Sequence, residues 1–421
     1  MKSNFQIPYR FKKIFYHRDA RNDELTRRVQ EYFPHLPAEE VYREEDFLQM
    51  IQNIPLTEGK RYLWLTRYKG DFIKYCPGAT QTAQTYRCCN YLVINEATNC
   101  PIECSYCFLQ GYVTNPAMTI YTNYERIQEE LRRLSASNPG RILRVGTGEL
   151  TDSLALDPIL RISEKLAATV ADLPNILLEM KTKTNHVDHL LEMPYRRLVI
   201  SWSVNPEWIV RHVEHKAAGL KQRLEAMKKT CDAGFLIGLH FDPIIYYRHW
   251  KEGYAELIGH LREAVSPDRI VWISLGSFRT PPALKENIRL RFPRTPILAG
   301  EQIKGRDGKM RYIKPMRAQM YRFIYQRLIE AFGKVYIYFC MESRDLWEAV
   351  LGQSPSHSGT VDYYFARSLY HKFPELGFPQ PDVELYQRDI VIQQAHRVHV
   401  LWRSPETASI EDRSLKQRMS F

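Results

Sequence analysis

The chain of 421 residues has no apolar run near the roughly 18 residues that a membrane-spanning helix requires. Its opening, MKSNFQIPYRFKK, lacks the apolar centre of a signal peptide, so a cytoplasmic protein without membrane contact is expected. Cysteine is sparse. Eight in this length would make a poor disulfide scaffold, and in a reducing compartment clustered cysteines serve as metal ligands or catalytic groups. Internal repeats and low-complexity runs are lacking too. With 44% hydrophobic and 25% charged residues, the composition is that of a folded domain with a sizeable core, which excludes disorder, collagen and coiled coil.

What is there begins with charge. The formal balance is +11, and residues 285–327 alone hold twelve basic against three acidic residues. One tenth of the chain thus carries nearly all of the surplus, and a concentrated patch points to a polyanionic partner more sharply than a high isoelectric point does. Tyr312, Tyr321 and Tyr325 interleave with its arginines, a mixture that suits phosphates and bases. A solvated helix face is the bland alternative.

Residues 1–90 read as an α/β lead-in with a helical pattern at 22–33. From residue 91, short β-branched runs alternate with amphipathic segments, the pattern of βαβ units around a parallel sheet. Strands are predicted at 91–97, 142–147, 176–181, 198–204, 235–241 and 270–275. The matching helices are placed at 123–135, 158–171, 186–192, 219–233 and 251–264. Six such units give a partial, open (β/α)6 TIM-like barrel over 91–341, followed by a C-terminal extension, 342–421. The Asp307–Gly308 pair between extended residues predicts a tight hairpin within 298–314.

The most specific feature is NCPIECSYCFLQ, which places Cys100, Cys104 and Cys107 at C-x3-C-x2-C spacing just after the first strand. Iron–sulfur cubanes normally take four cysteine thiolates, so three on one loop would leave one iron open for a small molecule. A zinc knuckle is the alternative, although zinc loops usually pair C-x2-C groups. The second strand ends in VGTGELTDS, whose glycines permit close backbone approach and whose carboxylate suits an ammonium group.

Together these elements resemble the radical S-adenosylmethionine (SAM) superfamily. The resemblance implies a [4Fe–4S] cluster on Cys100, Cys104 and Cys107, whose open iron chelates SAM, with Gly146, Thr147, Gly148 and Glu149 holding the SAM amino group. An electron then cleaves SAM to methionine and a hydrogen-abstracting 5′-deoxyadenosyl radical. Within the superfamily, CSYCFLQ, KTKTNHVDHLL, SWSVN and DPIIYYRHWKEGYAELI are similar to blocks of the spore photoproduct lyase family, from Leu56 to Cys340. That likeness places Thr151, Lys183, Ser203 and Asn205 at or near SAM, and Tyr106 in a radical relay. It further implies DNA repair, with Arg306, Lys309, Arg311 and Lys314 of the hairpin contacting DNA, a reductase with flavodoxin or ferredoxin as electron donor, and a monomer.

Two positions depart from that family. Glu149 stands where the family has its hydrogen-donating cysteine, and Phe108 where it has a second tyrosine. A peptide or small-molecule substrate is therefore carried alongside DNA, as is a nucleic-acid-binding iron–sulfur protein without turnover. Cys76, Cys88 and Cys89 form either a further metal site with a fourth ligand from elsewhere or a set of buried thiols. His186 and His189 read as packing or capping residues, and Cys231 and Cys340 as core, with Cys340 a conceivable thiol donor. His240 and Asp242 end the fifth strand at the barrel mouth, where sites lie in such folds.

Overall fold

The computed structural model describes residues 7–77 and 85–393. The middle of YCPGATQTAQTYRCCN and the last part of the C-terminal extension therefore lie outside the described residues. The expected strands are present at Leu92–Ile94 (β1), Leu143–Gly146 (β2), Ile176–Thr182 (β3), Leu198–Ser203 (β4), Leu236–Ile244 (β5) and Ile270–Ser277 (β6). They pair in chain order as one parallel, strongly curled sheet, an open half-barrel. Every residue of LVISWS in β4 and of IVWISLGS in β6 is buried, which is why these strands read as continuous apolar runs.

Two strands extend this sheet beyond expectation. Ile337–Phe339 (β7) pairs parallel with β6, and Ile73–Tyr75 pairs antiparallel with β1 at the opposite edge. Each has only three residues, too short for a hydrophobic period to register. A separate five-stranded sheet runs Ala38–Val41, Lys13–His17, Tyr62–Thr66, Met118–Tyr121, Ala97–Thr98, so it draws strands from both sides of residue 90.

Helices Glu24–Tyr32, Glu125–Ser137, Leu220–Asp232 and Trp250–Ala264 lie where the spacing placed them; the last buries Tyr254, Leu257, Ile258 and Leu261 on one face. Two helical expectations are corrected. The segment 158–171 is two helices, Asp157–Leu160 and Ile162–Ala171, broken at Arg161 with φ 54°. Asp157 caps the second by accepting from Ser163 N at 3.0 Å and also takes His189 Nε2 at 2.6 Å. Residues 186–192 form turns, not a helix. A segment so short nucleates poorly by itself. Here the His186 ring meets the carbonyls of Leu154 and Ala155 while His189 serves Asp157, so tertiary bonds decide its shape.

The hairpin is present as Gln302–Lys304 against Met310–Tyr312, with Gly308 at φ 77° in its turn and Arg279–Thr280 added as a third strand. At the other end of the barrel, the extension closes the floor. Arg141, just ahead of β2, forms a buried pair with Asp362 of helix Ser358–Lys372 at 2.8 Å and donates to the carbonyls of Leu385 and Arg388. Among the described residues no helix is long and apolar enough to cross a membrane.

Candidate active site

The cysteine loop leaves β1 through Asn99, whose φ of 73° is a left-handed conformation that asparagine tolerates better than most residues. Its side chain anchors the turn, donating to Pro116 O at 2.8 Å and accepting from Cys100 N at 2.9 Å. The buried Lys60 donates to Ile102 O at 2.8 Å, and Cys107 N bonds back to Cys104 O at 3.0 Å. Glu103–Cys104 pairs antiparallel with Glu214–His215, which fixes the loop against the segment after β4. Arg291 completes the support, bridging Gln110 at 2.8 Å and Glu103 at 3.1 Å.

The three thiols share one environment. Burial pushes Cys100 up to about 12 and Cys104 higher; Cys107 adds to the rise at both, and Cys100 adds to it at Cys104. Lys60 opposes the rise at Cys100, and Lys183 opposes it at Cys104. A bound cation reverses this balance by deprotonating its thiol ligands. Among the described residues no three His, Cys, Asp or Glu side chains converge on a single-ion position. A cubane distributes its ligands over separate irons, and three thiols on one loop would leave one iron open.

Asp152 joins the β2 turn to β3. It accepts from Thr182 Oγ1 at 2.8 Å and from Lys183 N at 2.7 Å, and its charge reaches Cys100. Lys183 points its ammonium over the Tyr106 ring, 5.7 Å from the centroid. The glycines of GTGE are required by close approach. A Cβ on Gly146 would lie 2.6 Å from Glu179 O, and one on Gly148, at φ 89°, 2.7 Å from Ser153 Oγ. Glu149 and Thr151 are half-buried beside this turn. Glu149 faces Lys181, whose burial would lower its pKa but which Glu149, Glu179 and Asp242 together hold above the usual lysine value.

Tyr106 donates its hydroxyl to Glu214. Glu214 also accepts from Asn205 Nδ2 at 3.0 Å and lies 2.6 Å from Arg223, both side chains of that pair being fully buried. Burial opposes ionisation of Glu214, and Arg223 and Lys183 outweigh it, leaving the carboxyl below its ordinary range. Ser203 is buried and gives its carbonyl to Arg223 at 3.1 Å.

The remaining expected residues are placed as follows. Asn205 is fully buried, and its amide lies between Glu214 and Tyr254, so it helps position Glu214. Thr147 places its hydroxyl within reach of Ser153 Oγ at 2.6 Å and Met180 Sδ at 3.1 Å. Arg311 is inside the protein, paired with Asp307 at 2.6 Å and bonded to Met341 O. Lys309 is half-buried, whereas Arg306 and Lys314 are exposed, the latter 3.3 Å from Asp345. The basic count overstates the patch, because Arg291, Arg317 and Arg327 pair with Glu103, Glu342 and Glu330. Tyr312 and Tyr321 are core residues, not stacking platforms.

Around His240 and Asp242, the barrel interior holds polar residues that the sequence did not single out: Glu179, Arg144, Ser274 and Arg279. Glu179 lies 2.6 Å from His240 Nε2, and His240 Nδ1 lies 2.6 Å from Ser274 Oγ. Burial would raise Glu179, but His240, Arg144 and Lys181 bring it down to about 2. Arg144 sits among Tyr91, Trp272, Tyr338 and Phe365, with ring centroids 4.8–5.4 Å away. Asp242, at the mouth, is gripped by Arg279 at 3.1 and 3.2 Å.

A curled parallel sheet whose first strand feeds a three-cysteine loop, facing a glycine turn on the second, defines the radical SAM class. The family model for spore photoproduct lyase matches residues 79–340, and the chain belongs to that family, whose members are radical SAM proteins. Spore photoproduct lyase of Bacillus subtilis (strain 168) is 25% identical over 297 residues, covering 69% of this chain and 85% of that protein. The one from Geobacillus sp. (strain Y412MC61) is 27% identical over 226 residues, 52% of this chain and 66% of that protein. The matched stretch thus spans just under two thirds of the Geobacillus relative. Solved structures share the fold. A spore photoproduct lyase mutant with bound AdoMet and dinucleoside spore photoproduct superposes with a TM-score of 0.69 at 21% identity, over 79% of this chain and 99% of that one. Another, complexed with dinucleoside spore photoproduct, gives the same TM-score and coverage.

Proposed function

We propose that the protein is a radical SAM enzyme that cleaves S-adenosylmethionine and abstracts hydrogen from a damaged or modified base in DNA. The observation that carries this reading is the convergence of the Cys100, Cys104 and Cys107 loop with the Asp152–Lys183 tie and the Gly146–Gly148 turn at the barrel mouth. When bound, the cluster and SAM supply one-electron reductive cleavage and a radical able to abstract hydrogen. In this reading Cys100, Cys104 and Cys107 hold three irons. The bare backbone at Gly146 and Gly148 accommodates SAM, the Glu149 carboxylate pairs with its ammonium, and Thr151, Lys183 and Ser203 border it.

Tyr106 has a proton acceptor already in place. Its hydroxyl rests on a carboxylate that Arg223 keeps ionised, so loss of a hydrogen atom from the phenol need not wait for solvent. A DNA substrate is favoured by the relatives solved with a dinucleoside spore photoproduct. The exposed Arg306 and Lys314 would meet phosphates, while the half-buried Lys309 and buried Arg311 would stiffen the hairpin beneath them. A target base must be extruded to reach the mouth. Flavodoxin or ferredoxin would deliver the electron.

The test is anaerobic incubation with SAM and dithionite. Production of 5′-deoxyadenosine is expected, and its absence from protein with an intact cluster refutes the reading. Glu149 in place of a thiol donor favours one second reading, turnover on a peptide or small molecule. Deuterium from labelled SAM or solvent appearing in ultraviolet-irradiated DNA, and not in an unirradiated control, decides for DNA.

A further inference from the structure

Outside the cysteine loop, four thiols from three segments meet where the two edges of the half-barrel come together. Cys76 continues the strand Ile73–Tyr75, its N–H reaching Tyr91 O at 2.8 Å, one step past the Tyr75–Leu92 pair. Cys340 follows β7, the opposite edge, and donates its N–H to Leu275 O at 2.7 Å. Between them, Tyr86–Arg87 pairs antiparallel with Glu342–Ser343, Arg87 opposite Glu342. Cys88 and Met341 form one small buried cluster, with Tyr75 and Cys340 packed on it. Cys88 senses Cys89, Cys76 and Cys340 electrostatically, so the four share one neighbourhood.

This neighbourhood is built for negative charge on sulfur. Arg144 is buried and, among the described residues, has no carboxylate at ion-pair distance; it donates to Cys89 Sγ at 2.8 Å. Arg279 donates to Cys340 Sγ at 3.4 Å while also holding Asp242. Lys181 and Lys309 both feel Cys76. A buried cation without a carboxylate is costly unless another anion accompanies it. Cys89 sulfur is the contact this structure gives that cation, with the Glu179 carboxylate acting on it from farther away.

We propose that Cys76, Cys88, Cys89 and Cys340 hold a second iron–sulfur cluster, with a thiolate at each corner, which staples the two edges of the half-barrel. Four cysteines leave no open iron, so this centre would not chelate SAM. Zinc is the alternative occupant: a single ion needs its ligands to converge on one point, whereas a multinuclear cluster takes them around a volume. Ligation releases the thiol protons, and the cations already beside Cys89, Cys340 and Cys76 offset the charge that the thiolates bring.

The experiment is iron and acid-labile sulfide analysis of the full chain after anaerobic reconstitution, with electron paramagnetic resonance after reduction. About eight irons per chain are expected in the wild type, about four in a Cys100→Ala/Cys104→Ala/Cys107→Ala variant, and about four in Cys76→Ser/Cys340→Ser. Thermal unfolding of the Cys76→Ser/Cys340→Ser protein should begin at lower temperature than that of the wild type, because the staple is gone. About four irons in the wild type, all lost with the loop cysteines, overturns the proposal and leaves the SAM reading intact. Zinc bound by these four thiols overturns it as well. If the loop variant does not fold, the wild-type count and the presence of two distinct reduced signals decide alone.

Discussion

Replacing Glu214 with glutamine tests the buried network that supports the cysteine loop. The change keeps shape and removes one charge, leaving Arg223 inside the protein without its counter-ion; both side chains are at 0% exposure. Breaking such a pair from one side costs about 3–5 kcal/mol, whereas replacing both partners with apolar side chains is close to neutral. Glu214→Gln should therefore lose about 3–5 kcal/mol in urea unfolding of the cluster-free protein, and Glu214→Met/Arg223→Met should regain most of it. Tyr106→Phe removes only one hydrogen bond to a charged acceptor and should cost about 1.5–3 kcal/mol. Because Glu214–His215 is the strand on which Glu103–Cys104 rests, 5′-deoxyadenosine yield should fall with the Glu214 change. A Glu214→Gln loss below about 1 kcal/mol, the value of an exposed pair, would refute the claim that this carboxylate is structurally central.

Other expectations follow from single contacts. Gly148→Ala should weaken SAM binding to the reconstituted protein about tenfold or more by calorimetry, since φ of 89° alone costs about 1–2 kcal/mol and Lys181 O lies 3.0 Å from the added carbon. Glu179 gives a pH signature. Its folded pKa, about 2, lies below the ordinary 4.5, so its stabilisation is present above 4.5 and is lost as pH falls towards 2. That difference is worth about 3 kcal/mol, and Glu179→Gln should flatten the acid limb of the stability profile over that window. At the hairpin, Arg306→Gln should reduce the salt dependence of DNA binding by about one phosphate contact without altering stability. Arg311→Gln should instead destabilise the fold by stranding Asp307, and a purely binding defect would contradict its burial.

The barrel strands are legible in the sequence because a strand covered on both faces is an uninterrupted apolar run; LVISWS and IVWISLGS carry that message in six to eight residues. β7 and its antiparallel counterpart at the other edge are too short to carry it. The cysteine loop and the GTGE turn are legible because their chemistry is contiguous. Asp152, Glu214, Arg223 and Arg279 are not, since each is a single residue whose meaning depends on a partner outside its own element, as Arg279 depends on Asp242. Charge counting misleads for the same reason. It registers Arg291, Arg311 and Arg317 as surface cations, though each is occupied by a carboxylate at 2.6–3.4 Å.

The floor of the barrel sets an order of assembly. β1 to β7 pair with their neighbours in the sequence, so the sheet can grow as the chain is synthesised. Arg141, ahead of β2, must wait for Asp362 and for the carbonyls of Leu385 and Arg388, more than two hundred residues later. Until those residues emerge, a nearly complete sheet carries a cation at its base that only water can satisfy. The segment 358–388 is thus a checkpoint on the first strands, and a chain truncated before Ser358 should remain a substrate for proteolysis however well its sheet has paired.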